Sequence, residues 1–222
     1  MEIPEKEVFR YLNIKEDARN ERTLSLISEL IDVFNANIVP KSVFGIWDCK
    51  INSSVITLGD LTVKSKSLAG HLTGCRRAAL LAATLGPQAD VMVRRYSVDD
   101  MEKAVIAQSV GTAMIEAYCD IITDEIACKI ENGIVMKPEA CKFHLTSRYS
   151  PGYGDFDINF QKDIFDMLNC SRIGLTLTSG YMMIPSKSVT AVVGFNNRTS
   201  EKKQTSKCAD CGMEQCGARE AV

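Results

Sequence analysis

The chain is poor in the residues on which much enzyme chemistry rests. Of its 222 residues only two are histidine, His71 and His144, and only one is tryptophan. Neither histidine stands beside a cysteine or serine in a nucleophile motif, which argues against a hydrolase triad. No Gly-x-Gly-x-x-Gly joins a strand to a helix, so a dinucleotide site of the Rossmann type has no support, and no phosphate-cradling P-loop pattern occurs. A surplus of one charge is missing as well: 26 basic residues face 28 acidic ones, a formal net charge of −2. Nucleic-acid binders carry a basic surplus or patch, and this balance speaks against one. No apolar run approaches the roughly 18 residues of a membrane-crossing helix. The opening Met1-Glu2-Ile3-Pro4-Glu5 is acidic and has no apolar h-region, so it is not read as a signal peptide. The expectation is a cytoplasmic globular protein with no membrane and no nucleic acid among its partners.

Apolar residues are plentiful, at 45% of the chain, enough for one large domain or two small ones. Residues 4–35 read as helical, with Leu26, Ile27, Leu30, Ile31 and Phe34 at the spacing of one buried face. Residues 43–58 read as two strands around an Asn52-Ser53-Ser54 turn. Ser65 opens a helix that ends near Cys75. Ala78 to Leu85 is a buried strand closed by Gly86-Pro87, and Val91 to Tyr96 is a second short strand. Asp99 to Ile130 is the longest periodic helix, buried along Ile106, Val110, Ala113, Met114, Ala117, Ile121 and Ile126. Asp157 to Leu168 is a shorter amphipathic helix. Ile173 to Leu177 and Val189 to Phe195 alternate as strands, joined by the connection 179–188. Helices and strands mix without a regular βαβ alternation, which favours an α+β fold with an antiparallel or mixed sheet. After Gly194 the composition turns polar. Residues 1–195 are therefore read as one domain and 196–222 as a polar linker and cysteine-rich tail.

Four groups of residues have chemistry to offer. The first is Arg148-Tyr149-Ser150-Pro151-Gly152-Tyr153-Gly154-Asp155-Phe156. Proline and glycine force an exposed turn where backbone approaches a ligand closely. Arg148 offers a planar fork suited to a carboxylate, and Tyr153 a ring between two glycines. The plainer reading is a loop held by a salt bridge and a packed tyrosine. The second is Glu116, Asp120 and Asp124, which steps of four place on one helix face. They suit a ligand ammonium or hydroxyl, or simply form a solvated face. The third is Pro185-Ser186-Lys187-Ser188, either a holder of a polar ligand group or a turn with a capping serine. The fourth is Cys208, Cys211 and Cys216. Six of the nine cysteines are scattered singly, as small apolar residues of a reduced compartment are. These three crowd the last fifteen residues, like part of a thiolate site for zinc or an iron–sulfur cluster that lacks its fourth ligand.

Taken together, these pieces resemble a known family. Arg148-x-x-x-Gly152-Tyr153 resembles the AdoMet-binding motif of the activation (reactivation) domain of cobalamin-dependent methionine synthase. The continuation Gly154-Asp155-Phe156-Asp157, with Gln161 after it, is similar to that of short, free-standing relatives of that domain. So are Ser65 to Cys75, Ala83 to Gly86 and Met183 to Val189. The resemblance runs from about residue 4 to 195.

It implies a C-shaped α+β fold around a twisted, mainly antiparallel sheet with flanking helices. It implies an AdoMet site built from Glu116, Arg148, Gly152 and Tyr153, with Tyr153 facing the corrin. A further acidic contact of the long form falls on Lys142, a departure from the pattern; Glu139 is the nearest acid. The implied function is an AdoMet-binding accessory protein, not a complete enzyme alone. It would support reductive methylation of cob(II)alamin on a methionine synthase or related corrinoid methyltransferase acting in trans, in methionine biosynthesis. A flavodoxin- or ferredoxin-like electron donor would serve the same cobalt. Two alternatives stay open. One is a metal or iron–sulfur electron-transfer or docking protein working through its C-terminal cysteines. The other is a structural subunit that no longer binds AdoMet.

Overall fold

The computed structural model describes residues 1–15, 20–132 and 144–196. It divides into two compact units, each built from three stretches of chain. The first comprises Met1–Lys41, Ala83–Asp120 and Ile173–Ser188; the second takes Ser42–Ala82, Ile121–Arg172 and the chain from Val189 on.

The first unit is mostly helical. Helix α1 (Glu5–Leu12) has acids in its first turn and Arg10 in its last, as the helix dipole favours, and ends on a left-handed Asn13. Helix α2 (Glu21–Asn37) is capped by Asn20, whose side chain accepts from the Thr23 amide at 2.9 Å. It buries Thr23, Ile27, Leu30 and Phe34; of the predicted stripe, Leu26 and Ile31 are only half-buried.

The second unit holds most of the sheet. Strands β1 (Lys41–Asn52) and β2 (Val55–Leu58) form the expected hairpin, with Asn52 opposite Val55. Strand β3 (Leu61–Lys64), which the reading of the sequence missed, adds antiparallel to β2 through a Gly59-Asp60 turn. Helix α3 (Lys66–His71) follows; its N-cap Ser65 accepts from the Leu68 amide at 3.0 Å. Strand β4 (Arg77–Thr84) is the predicted buried strand. Ala78 to Ala83 have no solvent exposure, consistent with its inner place in the strand order β3-β2-β1-β4-β8-β5, where β5 is His144–Leu145 and β8 is Ser188–Asn196. Strands β5 (His144–Leu145) and β8 (Ser188–Asn196) pair antiparallel. Helix α6 (Phe160–Leu168) buries Gln161, Ile164 and Leu168.

Three expectations fail. Val91 to Tyr96 is not a strand but part of helix α4 (Pro87–Asp99). Pro87 sits in the first turn, Asp90 follows it, and only Ala89 of this helix is buried. With Val91 54% exposed, its β-branched residues have no sheet to pack on.

The long helix α5 (Met101–Asn132) does not bury one stripe throughout. Ile121 is 55% exposed, and Ile122 is buried in its stead. The helix belongs to the first unit up to Asp120 and to the second from Ile121, so its buried face changes. Its span Met101–Lys129 also reaches the length and mean hydropathy, 1.2, of a membrane-crossing helix, contrary to expectation. Yet 56% of that window is buried within the protein, as in the core helix of a globular fold.

Finally, the expected strand Ile173 to Leu177 is shorter, and 179–188 is not a plain connection. Strand β6 (Thr176–Leu177) pairs with β7 (Met183–Ile184) in a separate two-stranded ribbon of the first unit. The supposed connection holds the turn of that hairpin and then β7 itself. Tyr181 donates to the Thr178 carbonyl at 3.0 Å, and Thr178 to that of Met182 at 3.0 Å.

Candidate functional site: a braced arginine–tyrosine loop

Three of the four predicted ligand residues, Arg148, Gly152 and Tyr153, lie on one loop of the second unit. The loop is stitched to β8 before it turns. The Tyr149 amide donates to Val192 at 3.0 Å, and Val192 donates back at 2.8 Å. Arg148 is half-buried beside this bridge, and Pro151 is buried. The turn then closes on itself, with Gly152 donating to the Phe156 carbonyl at 2.7 Å and Phe156 to that of Tyr153 at 3.0 Å. Gly152 takes φ +96°, a left-handed value that a side chain resists. At Gly154 (φ +55°) space is lacking too: a Cβ would lie 2.6 Å from Ser67 Oγ and 2.7 Å from the Tyr149 hydroxyl. Glycine is required there by both backbone and packing.

Aromatic rings back the loop. Tyr149 lies 4.9 Å from His71, 6.0 Å from Tyr153 and 6.4 Å from Phe156, centroid to centroid. Tyr149 and Phe156 are buried, whereas Tyr153 is 48% exposed and offers its ring to solvent. A planar cationic donor at Arg148 and an exposed phenol at Tyr153 thus flank a turn with exposed backbone at Gly152. Such a surface suits a ligand with a carboxylate and a flat or cationic body.

The residue that reading the sequence missed is Asp155. Its carboxylate accepts from Ser65 Oγ at 2.5 Å, the Lys66 amide at 2.8 Å and the Ser67 amide at 3.0 Å. These bonds favour the charged form, the Ser65 bond most, and hold its pKa well below the ordinary aspartate range. Asp155 and Ser65 are ninety residues apart in sequence, so no local signal joined them.

The fourth predicted residue, Glu116, belongs to the first unit, half-buried on α5. Its charge acts on the Tyr11 phenol, whose pKa is pushed up to about 12, by burial first and by Glu116 second. Of the acidic ridge, Asp120 and Asp124 are exposed.

The Pro185–Ser188 segment serves packing. Ser186 donates from its amide and hydroxyl to Asp90 at 2.8 and 2.5 Å, and Ser188 caps the Pro185 carbonyl at 2.7 Å. Lys187 is only 6% exposed; its Nζ donates to Thr112 Oγ1 at 2.9 Å, and burial lowers its pKa to about 8. Two recesses of the first unit, of about 290 and 340 Å³, are lined by none of the four predicted ligand residues.

Among the described residues no group of three or more His, Cys, Asp or Glu is placed to hold a metal. Cys208, Cys211 and Cys216 lie outside the described residues, as do Glu139 and Lys142.

Comparison with known proteins agrees with the motif. Residues 63–220 match the family model of the activation domain of vitamin B12 dependent methionine synthase. The match contains the whole loop, and it begins and ends later than the span on which the motif resemblance rests. No curated protein matches the chain in sequence. Among solved structures, the chain is similar to the MetH reactivation domain crystallised with AdoHcy. The TM-score is 0.60 at 13% identity, over 81% of this chain and 66% of that one. That likeness is one of fold, and the α+β architecture with antiparallel strand pairs agrees with it. With more than half of its length matched, the chain belongs to the family of the activation domain of vitamin B12 dependent methionine synthase.

Proposed function

We propose that this protein binds S-adenosylmethionine (AdoMet) on the Arg148–Tyr153 loop and presents its methyl group to the cobalt of a corrinoid protein acting in trans. The reading rests on one observation above others: the loop carrying Arg148 and Tyr153 falls inside the span matched to the activation-domain family. Arg148 would clamp the methionine carboxylate by a charge-assisted pair of hydrogen bonds. Gly152, lacking a Cβ, lets the ligand lie against backbone. Tyr153 would stand at the rim facing the corrin.

The partner's cobalt, reduced by an external electron donor, would supply the nucleophile and AdoMet the methyl group, with S-adenosylhomocysteine leaving as a neutral thioether. No proton moves in that transfer, so the chain needs no acid or base, in keeping with its scarcity of histidine. Its contribution is orientation: holding the sulfonium so that its methyl group is in line. The partner is a methionine synthase or a related corrinoid methyltransferase, with a flavodoxin- or ferredoxin-like protein delivering the electron. The working part is residues 1–195, with 196–222 as an appendage, and the setting is the cytoplasm.

Calorimetric titration with AdoMet tests the binding step. The wild type should bind, and Arg148→Ala should weaken affinity by about tenfold or more, the worth of a lost hydrogen bond to a charged group. No heat with the wild type would end the reading. The second arm is AdoMet-dependent methylation of a corrinoid partner poised as cob(II)alamin with a reductant. The yield should depend on addition of this chain.

A further inference from the structure

Helix α3 meets the loop at both of its ends. At the N-terminal end, Ser65 Oγ and the Lys66 and Ser67 amides all donate to the Asp155 carboxylate, where the loop finishes. At the C-terminal end, His71 donates from Nε2 to the Ser147 carbonyl at 2.8 Å, one residue before Arg148. Its ring also rests against Tyr149. Between these two grips, Ser67 Oγ fills the space beside Gly154, 2.6 Å from where a Cβ would sit. The loop is thus spanned by a splint one short helix long. Arg148 and Tyr153 both lie between the grips.

We infer that α3 acts as a splint that keeps the Arg148–Tyr153 loop in its binding form, and that Asp155 and His71 are positioning residues for the ligand held there. The inference rests on the AdoMet reading above and adds to it two residues that touch no ligand themselves. The physical reason is preorganisation. A turn with two left-handed glycines has many alternative conformations, and ligand binding must pay for selecting one unless the fold has already done so. The carboxylate carries most of the grip, because bonds to a charged acceptor are stronger than the neutral imidazole–carbonyl bond. The depressed pKa of Asp155 means that this grip persists through the whole neutral and mildly acidic range.

Three variants of the full chain test the splint: Asp155→Ala, His71→Ala and the exposed control Asp163→Asn on α6. Two readouts are taken, AdoMet titration and amide hydrogen exchange without ligand. Asp155→Ala should raise the AdoMet Kd by about tenfold and His71→Ala by a smaller factor of about three. Both should keep a stoichiometry near that of the wild type, and the control should change neither. Exchange should speed up at Gly152, Tyr153 and Phe156 in Asp155→Ala, with β8 unchanged.

A merely structural role would give the opposite pattern: fewer binding-competent molecules at an unchanged Kd. That pattern, or wild-type exchange at the loop amides in Asp155→Ala, overturns the splint. Absence of heat with the wild type overturns the AdoMet reading instead, and the exchange data then still decide whether α3 braces the loop.

Discussion

Asp155 and Lys187 are both charged, both come from segments that drew notice in the sequence, and both have lowered pKa values. The causes are opposed. Asp155 stands at the surface with three donors around its carboxylate, so hydrogen bonding favours its charged form. Lys187 is sealed into the first unit with one neutral acceptor among the described residues, Thr112, so desolvation penalises its charged form. A carboxylate that is easily ionised braces a loop whose shape matters for binding. An ammonium that is reluctantly charged fills a gap over Gly111, where its Cε lies 3.0 Å from the place of a Cβ. The direction of a shift therefore says little about role; its cause says more.

The contrast is broken most severely at Gly154, which lets Asp155 reach α3. Gly154→Ala forces a Cβ against Ser67 and Tyr149 in a left-handed conformation. It should cost about 2–4 kcal/mol, read by urea unfolding.

Next comes Lys187→Met, which keeps the stem and removes the buried charge. It should stabilise the protein at pH 7 by about 1–3 kcal/mol. The sign follows from linkage. The folded pKa, about 8, lies below the ordinary 10.5, so the charge penalty is full below pH 8 and is relieved as pH rises toward 10.5. The gap between variant and wild type should therefore close over that window. A gap constant with pH would mean that Lys187 is not desolvated. The comparison must be made as a difference. Cys49, whose thiol burial pushes up to about 11, works the other way: its contribution falls as pH rises above 9.

The smallest effect is expected from Asp155→Asn in acid. The wild-type carboxylate contributes stability above the ordinary aspartate value of 3.8 and loses it as pH falls below. Asparagine cannot titrate, so the variant should lose less stability on acidification from pH 5 to 2. Acid-induced unfolding followed by circular dichroism measures the difference.

Much of this was legible in the chain. The α2 stripe, the β1–β2 hairpin, the buried β4 and the α6 face each came from short-range periodicity. Arg148, Gly152 and Tyr153 were picked out by turn chemistry and by motif. The failures have physical causes. The valines of α4 have strand propensity, but Pro87 in the first turn starts a helix that overrides it. The α5 stripe was drawn straight because nothing local says that a helix serves two units. The β6–β7 ribbon was missed because two-residue strands carry too few side chains to alternate. Gly59-Asp60 is the one local mark of the β2–β3 hairpin.

Short-range order in the chain was enough to set where most helices and strands form, and to nominate a turn with a guanidinium and a phenol. Capping, glycine conformation and side-chain period all act within a few residues. Partnership was decided only on folding. Asp155 finds Ser65 across ninety positions, and Lys187 finds Thr112 across seventy-five. Such pairs are selected by the packing of whole elements, for which no neighbouring residue carries a mark.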